Sequence, residues 1–134
     1  MRRRWQLAAL LMLVGAAGLC PRPADAQQHW AALDPNSESS SPVVWGATED
    51  EARQKAVDAC RRLSKTCANG PASTSDMREV FVVMCCALPK PGCAAAAGDT
   101  RRAAQKKVQE MFADAGYKEC SVKHTMSAAT GKRQ

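Results

Sequence analysis

The chain has 134 residues, with 19 Lys and Arg against 13 Asp and Glu, seven cysteines and 4% aromatic residues. That length suits one small domain, and the basic excess is too slight and too poor in interleaved aromatics for a nucleic-acid binder. Two histidines, His29 and His124, leave little material for a histidine-based catalytic or metal site.

The first segment reads as an export signal. Arg2, Arg3 and Arg4 make a positive start, Leu7 to Leu19 is an apolar run of 13 residues, and Ala24-Asp25-Ala26 is an A-x-A cleavage site. The run is shorter than the roughly 20 residues of a membrane-spanning helix. Leu19 stands where a lipidated Cys20 requires a small residue, and Arg3-Arg4-Trp5 lacks the rest of a twin-arginine motif. Residues 1–26 are therefore expected to be a signal peptide. Their removal delivers a 108-residue chain to the periplasm or the medium, without a stable membrane anchor. Losing Arg2, Arg3, Arg4, Arg22 and Asp25 leaves 15 basic and 12 acidic side chains, a net charge of +3.

Cleavage also removes Cys20, so six cysteines remain: Cys60, Cys67, Cys85, Cys86, Cys93 and Cys120. An even count in a small exported domain reads as three disulfides. Each stabilises by ~2–4 kcal/mol through restriction of the unfolded chain. That is comparable with the whole stability of a domain this size.

Residues 27–42, rich in Pro, Ser, Asn and Ala, are expected to form a flexible linker carrying His29 and Trp30. A single domain over 43–129 follows, with a polar tail at 130–134. Val43-Val44-Trp45 suggests a short edge strand. Thr48-Glu49-Asp50-Glu51 is a capping box, in which the Thr48 hydroxyl accepts from the Glu51 amide. The helix it opens carries Ala52, Ala56, Ala59, Cys60 and Leu63 as one apolar stripe and ends near Lys65. Residues 68–76, around Asn69-Gly70-Pro71, read as a loop.

Residues 79–87 read as the central strand of the fold. Val80, Val82, Met84 and Cys86 point one way, and Phe81, Val83 and Cys85 the other, so both faces are apolar. Pro89-Lys90-Pro91-Gly92 turns the chain and Cys93 to Ala97 returns. A second helix follows Asp99 and Thr100 with the stripe Ala104, Val108, Met111, Phe112 and Ala115, and Gly116 suits its left-handed end. The last strand starts at Cys120, with Cys120, Val122, His124, Met126 and Ala128 on its more apolar face.

The two helices read as a pseudo-repeat. A shift of 52 positions superposes both stripes and makes Gly46, Thr48, Ala52 and Lys55 coincide with Gly98, Thr100, Ala104 and Lys107. The expected architecture is α+β, a small antiparallel sheet with two amphipathic helices on one face, stapled by disulfides. Six cysteines allow fifteen pairings. The pairing expected from proximity is Cys60 with Cys67, Cys86 with Cys93, and Cys85 with Cys120.

Trp45-Gly46-Ala47, then Ala52, Ala56, Cys60 and Cys67, then Ala104 and Val108, and finally Cys120-Ser121-Val122 carry a resemblance. Over most of Val43 to Met126 the chain resembles domain-of-unknown-function family 4189, small exported bacterial proteins. Phe112 stands where a second cysteine fits that pattern, and the Cys85-Cys86 pair is additional. The resemblance implies export and fold, and brings no catalytic residue.

Chemistry is sparse. Adjacent Cys85 and Cys86 raise an alternative, a periplasmic thiol-dependent redox protein, because neighbouring cysteines can form a labile bond. The thioredoxin pattern of Cys-x-x-Cys at a helix start is missing. Six residues separate Cys60 from Cys67 and Cys86 from Cys93, wider than structural zinc sites use. No metal or cofactor is expected. A hydrolase needs a base beside its nucleophile, but His29 falls in the linker and His124 on the apolar face of the last strand, where a lone histidine reads as a hydrogen-bonded core or edge residue. The best sign of a binding face is basic: Arg101, Arg102, Lys106 and Lys107 on the second helix suit an anionic partner. The reading is thus an exported, disulfide-stabilised and non-enzymatic module that binds a protein or envelope component.

Overall fold

A computed structural model of the chain describes residues 29–38 and 41–134. The expected signal peptide at 1–26 lies outside the described residues, as do positions 27, 28, 39 and 40 of the expected linker. Eight elements follow in order: β1 (Trp30–Leu33), β2 (Val44–Gly46), α1 (Glu49–Leu63), β3 (Ala72–Thr74), β4 (Val80–Leu88), β5 (Gly92–Gly98), α2 (Arg101–Asp114) and β6 (Lys118–Ser127). The strands form two antiparallel three-stranded sheets, ordered β2-β1-β3 and β5-β4-β6. In each half the central strand comes first, then one edge, a helix, and the other edge.

The helices do not share one sheet face, which corrects the expected layering. Ala52 and Ala56 of α1 pack on Ala32 of β1, with Trp30 and Val44 beside them. Val108 and Phe112 of α2 pack on Met84, Cys86 and Ala96 of the second sheet. Between the helices the inner sheet faces meet, joining Ala31, Leu33 and Val43 to Phe81, Val83, Ala95, Ala97 and Met126. Period-two alternation produces this directly: even-numbered residues of β4 face α2, odd-numbered ones face the other sheet. β4 is thus central and buried on both faces, as its apolar pattern predicts.

Both helix starts follow their sequence signals. Thr48 Oγ1 accepts from the Glu51 amide and Thr100 Oγ1 from the Ala103 amide, each at 3.1 Å. Glu51 accepts from the Ala47 amide rather than that of Thr48, and also pairs with Lys55. These contacts, the Lys55 ammonium first, hold the Glu51 carboxyl below its usual range. At the end of α2, Tyr117 N–H donates to Phe112 O and Gly116 N–H to Ala113 O. Gly116 takes φ +76°, the left-handed geometry that closes this motif without a Cβ penalty.

Several expectations need correction. Residues 30–33 are not linker: Ala31, Ala32 and Leu33 are fully buried, because β1 is the middle strand of its sheet and is covered on both faces. A four-residue strand with two alanines at its centre leaves little compositional trace. β3 likewise sits in the stretch read as loop, formed by pairing with β1. Leu63 and Met111 fall off the buried stripes, 58% and 51% exposed, and Ala115 caps α2 from outside it. In β6 a register shift opposite Val83 and Met84 splits the expected face. Val122 consequently packs with the α2 cluster, whereas Met126 and Ala128 join the inter-sheet core. The bulge inserts one residue, which inverts the alternation on either side of it.

All six cysteines of the described chain are paired. Cys60–Cys67 is as expected; the other two are Cys85–Cys93 and Cys86–Cys120, the reverse of the expected assignment. Register decides the outcome. Cys85 lies directly opposite Cys93 on β5, and Cys86 directly opposite Cys120 on β6. Each bond thus joins two directly opposed residues of neighbouring strands.

Candidate functional site

The exposed surface of α2 gathers Arg101, Arg102, Gln105, Lys106 and Gln109 on one open face. Helical spacing accounts for it: residues 101, 102, 105, 106 and 109 recur at three- and four-residue intervals, opposite the buried Ala104, Val108 and Phe112. The first turn of α2 contains no acidic residue, whereas that of α1 contains Glu49, Asp50 and Glu51. Lys106 reaches Glu110 at 3.8 Å, but both side chains are largely exposed, so the pair is weak and leaves the cation accessible. Lys107 does not belong to this face. Its Nζ donates to Ala97 O on β5 at 2.7 Å, tying the helix to its own sheet. Three of the four expected basic residues are therefore together, and the fourth has a structural partner.

Lys55 makes the corresponding bond in the first half, donating from Nζ to Trp45 O at 3.2 Å. Gly46 and Gly98 also correspond in environment. A Cβ on either would stand 2.6 Å from the backbone N of Ala52 or Ala104, so each allows a helix start to press against a strand end.

Cys85 and Cys86 are bonded to different strands and not to each other. Both lie in the core at 8% and 4% exposure. This arrangement ties β4 to both neighbours and leaves no free thiol at either position.

A third cluster was not marked by the sequence. Asp34, Asn36 and Ser41 are buried polar residues in the segment read as linker. Asn36 Nδ2 donates to Ser41 Oγ at 2.9 Å and to Cys60 Sγ at 3.6 Å. Asp34 Oδ1 accepts from Gly70 N–H at 3.2 Å, and Ala68 N–H donates to Pro35 O at 3.0 Å. The loop closed by Cys60–Cys67 is thus bound to the end of β1. Burial drives the Asp34 carboxyl above its ordinary range, against the opposing pull of the Asn69 and Gly70 amides and of Arg61. The two sulfurs beside it are bonded to each other and offer no thiolate to a metal. A polar residue just past an apolar Ala-Ala-Leu strand was the available signal, obscured by the linker-like Asp-Pro-Asn-Ser composition.

His124 lies on β6 opposite Val83, half-buried; burial, then Arg133 and Lys123, lower its pKa. His29 is exposed at the start of β1. Neither is joined to a nucleophile among the described hydrogen bonds. No helix among the described residues is long and apolar enough to cross a membrane. No family model, curated protein or solved structure matches the chain.

Proposed function

We propose that the chain is a small exported module that binds an anionic protein or envelope component through the outer face of α2. The observation that carries this reading is the grouping of Arg101, Arg102 and Lys106 with two glutamines on one exposed helix face. The sandwich and its three disulfides serve as a rigid support, suited to an oxidising compartment. Within this reading the chain is an internal duplication. The matching element order, helix caps, glycine contacts and lysine-to-carbonyl bonds of the two halves support it. Kinship with domain-of-unknown-function family 4189 rests on the sequence motifs given above.

The test compares wild type with the Arg101→Gln/Arg102→Gln/Lys106→Gln variant. Purified protein is sedimented with an isolated envelope fraction at low and at high salt. Wild type is expected to co-sediment at low salt and to be released at high salt, with the variant staying in solution at both. Equal attachment of the variant refutes the assignment of the face. Intact-mass measurement of the exported protein tests the export reading, which requires loss of residues 1–26.

A further inference from the structure

The Cys60–Cys67 bond stands beside a buried acid whose second oxygen has no partner. A carboxylate oxygen of Asp34 and the two sulfurs all lie within 4.8 Å of one another. Asp34 is fully buried, and while Oδ1 accepts from Gly70 N–H, Oδ2 accepts from nothing. Among the described residues no other acid is grouped with a cysteine pair in this way. The structure already gives Oδ1 a role in holding the 69–70 turn, but that role does not use Oδ2.

The two sulfurs differ in access. Cys60 is fully buried, whereas Cys67 is partly exposed. An external thiolate therefore meets Cys67 first, and negative charge then develops on Cys60. That sulfur sits in the last turn of α1, the negative end of the helix dipole, where a bare thiolate is disfavoured. A proton donor at this point removes the difficulty, and Asn36 Nδ2–H already points at the same sulfur.

We propose that Cys60–Cys67 is an exchangeable disulfide and that Asp34 is the acid that protonates the Cys60 sulfur when a dithiol attacks Cys67. In the first step one thiolate of the dithiol bonds to Cys67 Sγ, and the Cys60–Cys67 bond breaks. Its electron pair goes to Cys60 Sγ, which takes a proton from the protonated form of the Asp34 carboxyl. The second thiolate of the dithiol then attacks its own sulfur in the mixed disulfide. The reagent leaves as its cyclic or intramolecular disulfide, and the Cys67 thiolate is protonated from water, as is Asp34. The dithiol loses two electrons and the protein disulfide gains them. The groups facing Asp34 are the Asn69 and Gly70 amides, the two sulfurs and Arg61 of α1, whose Nη2 also donates to Asn69 Oδ1. Burial outweighs the amides and Arg61 and keeps the carboxyl protonated to higher pH than an exposed aspartate.

The site is independent of the basic face of α2, so its test does not bear on that reading. The fully oxidised protein is treated with dithiothreitol from mildly acidic to neutral pH, quenched by alkylation, and mapped bond by bond. Rates are divided by the thiolate concentration. For wild type, the normalised rate at Cys60–Cys67 is expected to fall as Asp34 ionises, while Cys85–Cys93 and Cys86–Cys120 stay flat and provide internal references. Asp34→Asn, which retains an acceptor for Gly70 N–H, is expected to slow Cys60–Cys67 about tenfold or more and to abolish its pH dependence. A flat wild-type profile overturns the proposal without any variant. So does an unchanged or faster rate in Asp34→Asn, since a purely structural aspartate would loosen the loop and expose the bond.

Discussion

Replacing Phe112 by Ala tests how α2 is held. Phe112 is 6% exposed and packs with Met84, Cys86, Ala96 and Val108, and its ring centroid lies 5.2 Å from that of Tyr117. A buried Phe hides some ~150–200 Å² of surface. At about 25 cal/mol per Å² its burial is worth ~4–5 kcal/mol, an upper estimate for the apolar term alone. Truncation leaves Cβ in place but opens a cavity and breaks the tilted ring contact, giving an expected loss of ~3–5 kcal/mol. Met111, the preceding residue, is 51% exposed, and Met111→Ala is expected to cost under ~1 kcal/mol. Urea unfolding with all disulfides intact reads the difference. With an m-value of ~1.3 kcal/mol/M for a domain this size, Phe112→Ala should lower the midpoint by about 2–4 M. A shift below about 1 M, or an equal shift for Met111→Ala, refutes the packing argument.

The close glycines supply a second expectation. Gly46→Ala and Gly98→Ala each press a Cβ to 2.6 Å from helix backbone and should cost ~1–3 kcal/mol, whereas Gly70→Ala meets nothing within 4 Å; thermal melts separate them. Lys107→Met removes the 2.7 Å bond to Ala97 O and should destabilise by ~1 kcal/mol, against under ~0.5 kcal/mol for Lys106→Met in denaturant titrations. Asp76 accepts from the Arg78 guanidinium through both carboxylate oxygens, and this lowers its pKa from 3.8 to about 2. The folded value lies below the unfolded one, so the pair's contribution is full above 3.8 and fades as pH falls through about 2. An NMR titration of the Asp76 carboxyl should show a midpoint of about 2 that rises towards 3.8 in Arg78→Ala; a wild-type midpoint of 3.8 refutes the pairing.

What the sequence made legible depended on how local the determinant was. The Thr48 and Thr100 caps, Gly116 at the end of α2 and the doubly apolar β4 are set by residues within a few positions of each other, and they fold as read. β1 and β3 are four and three residues long and exist because β1 is paired on both sides. Nothing in Trp-Ala-Ala-Leu distinguishes that from a leader. The disulfide exchange has the same origin. Cys85 and Cys86 differ by one residue, so the choice of partner rests on registers that a Pro/Gly turn and a bulge in β6 determine together. Of the candidate basic residues, helical spacing groups Arg101, Arg102 and Lys106, while the bond from Lys107 to Ala97 O on β5 was not legible. Asp34 was hidden, because its meaning depends on a loop 36 residues away.

The placement of the three disulfides has a consequence for how the chain can be divided. Cys60–Cys67 closes a ring within the first half, and the other two bonds lie wholly within the second. Among the described residues, the sole covalent tie between halves is the peptide chain itself, around residues 75–79. Cleavage there would leave two fragments, each with its own sheet and helix. They would be held together by the inner-face core, the Trp45 Nε1 bond to Ala128 O at 2.9 Å and a partly buried hydroxyl–carboxylate contact from Thr74 to Glu79. A cut between Cys93 and Cys120, by contrast, would release nothing, since α2 lies inside a closed covalent loop. The molecule is therefore built as two separately knotted pieces on a single thread, and a protease reaching that thread would convert an intramolecular fold into a bimolecular complex.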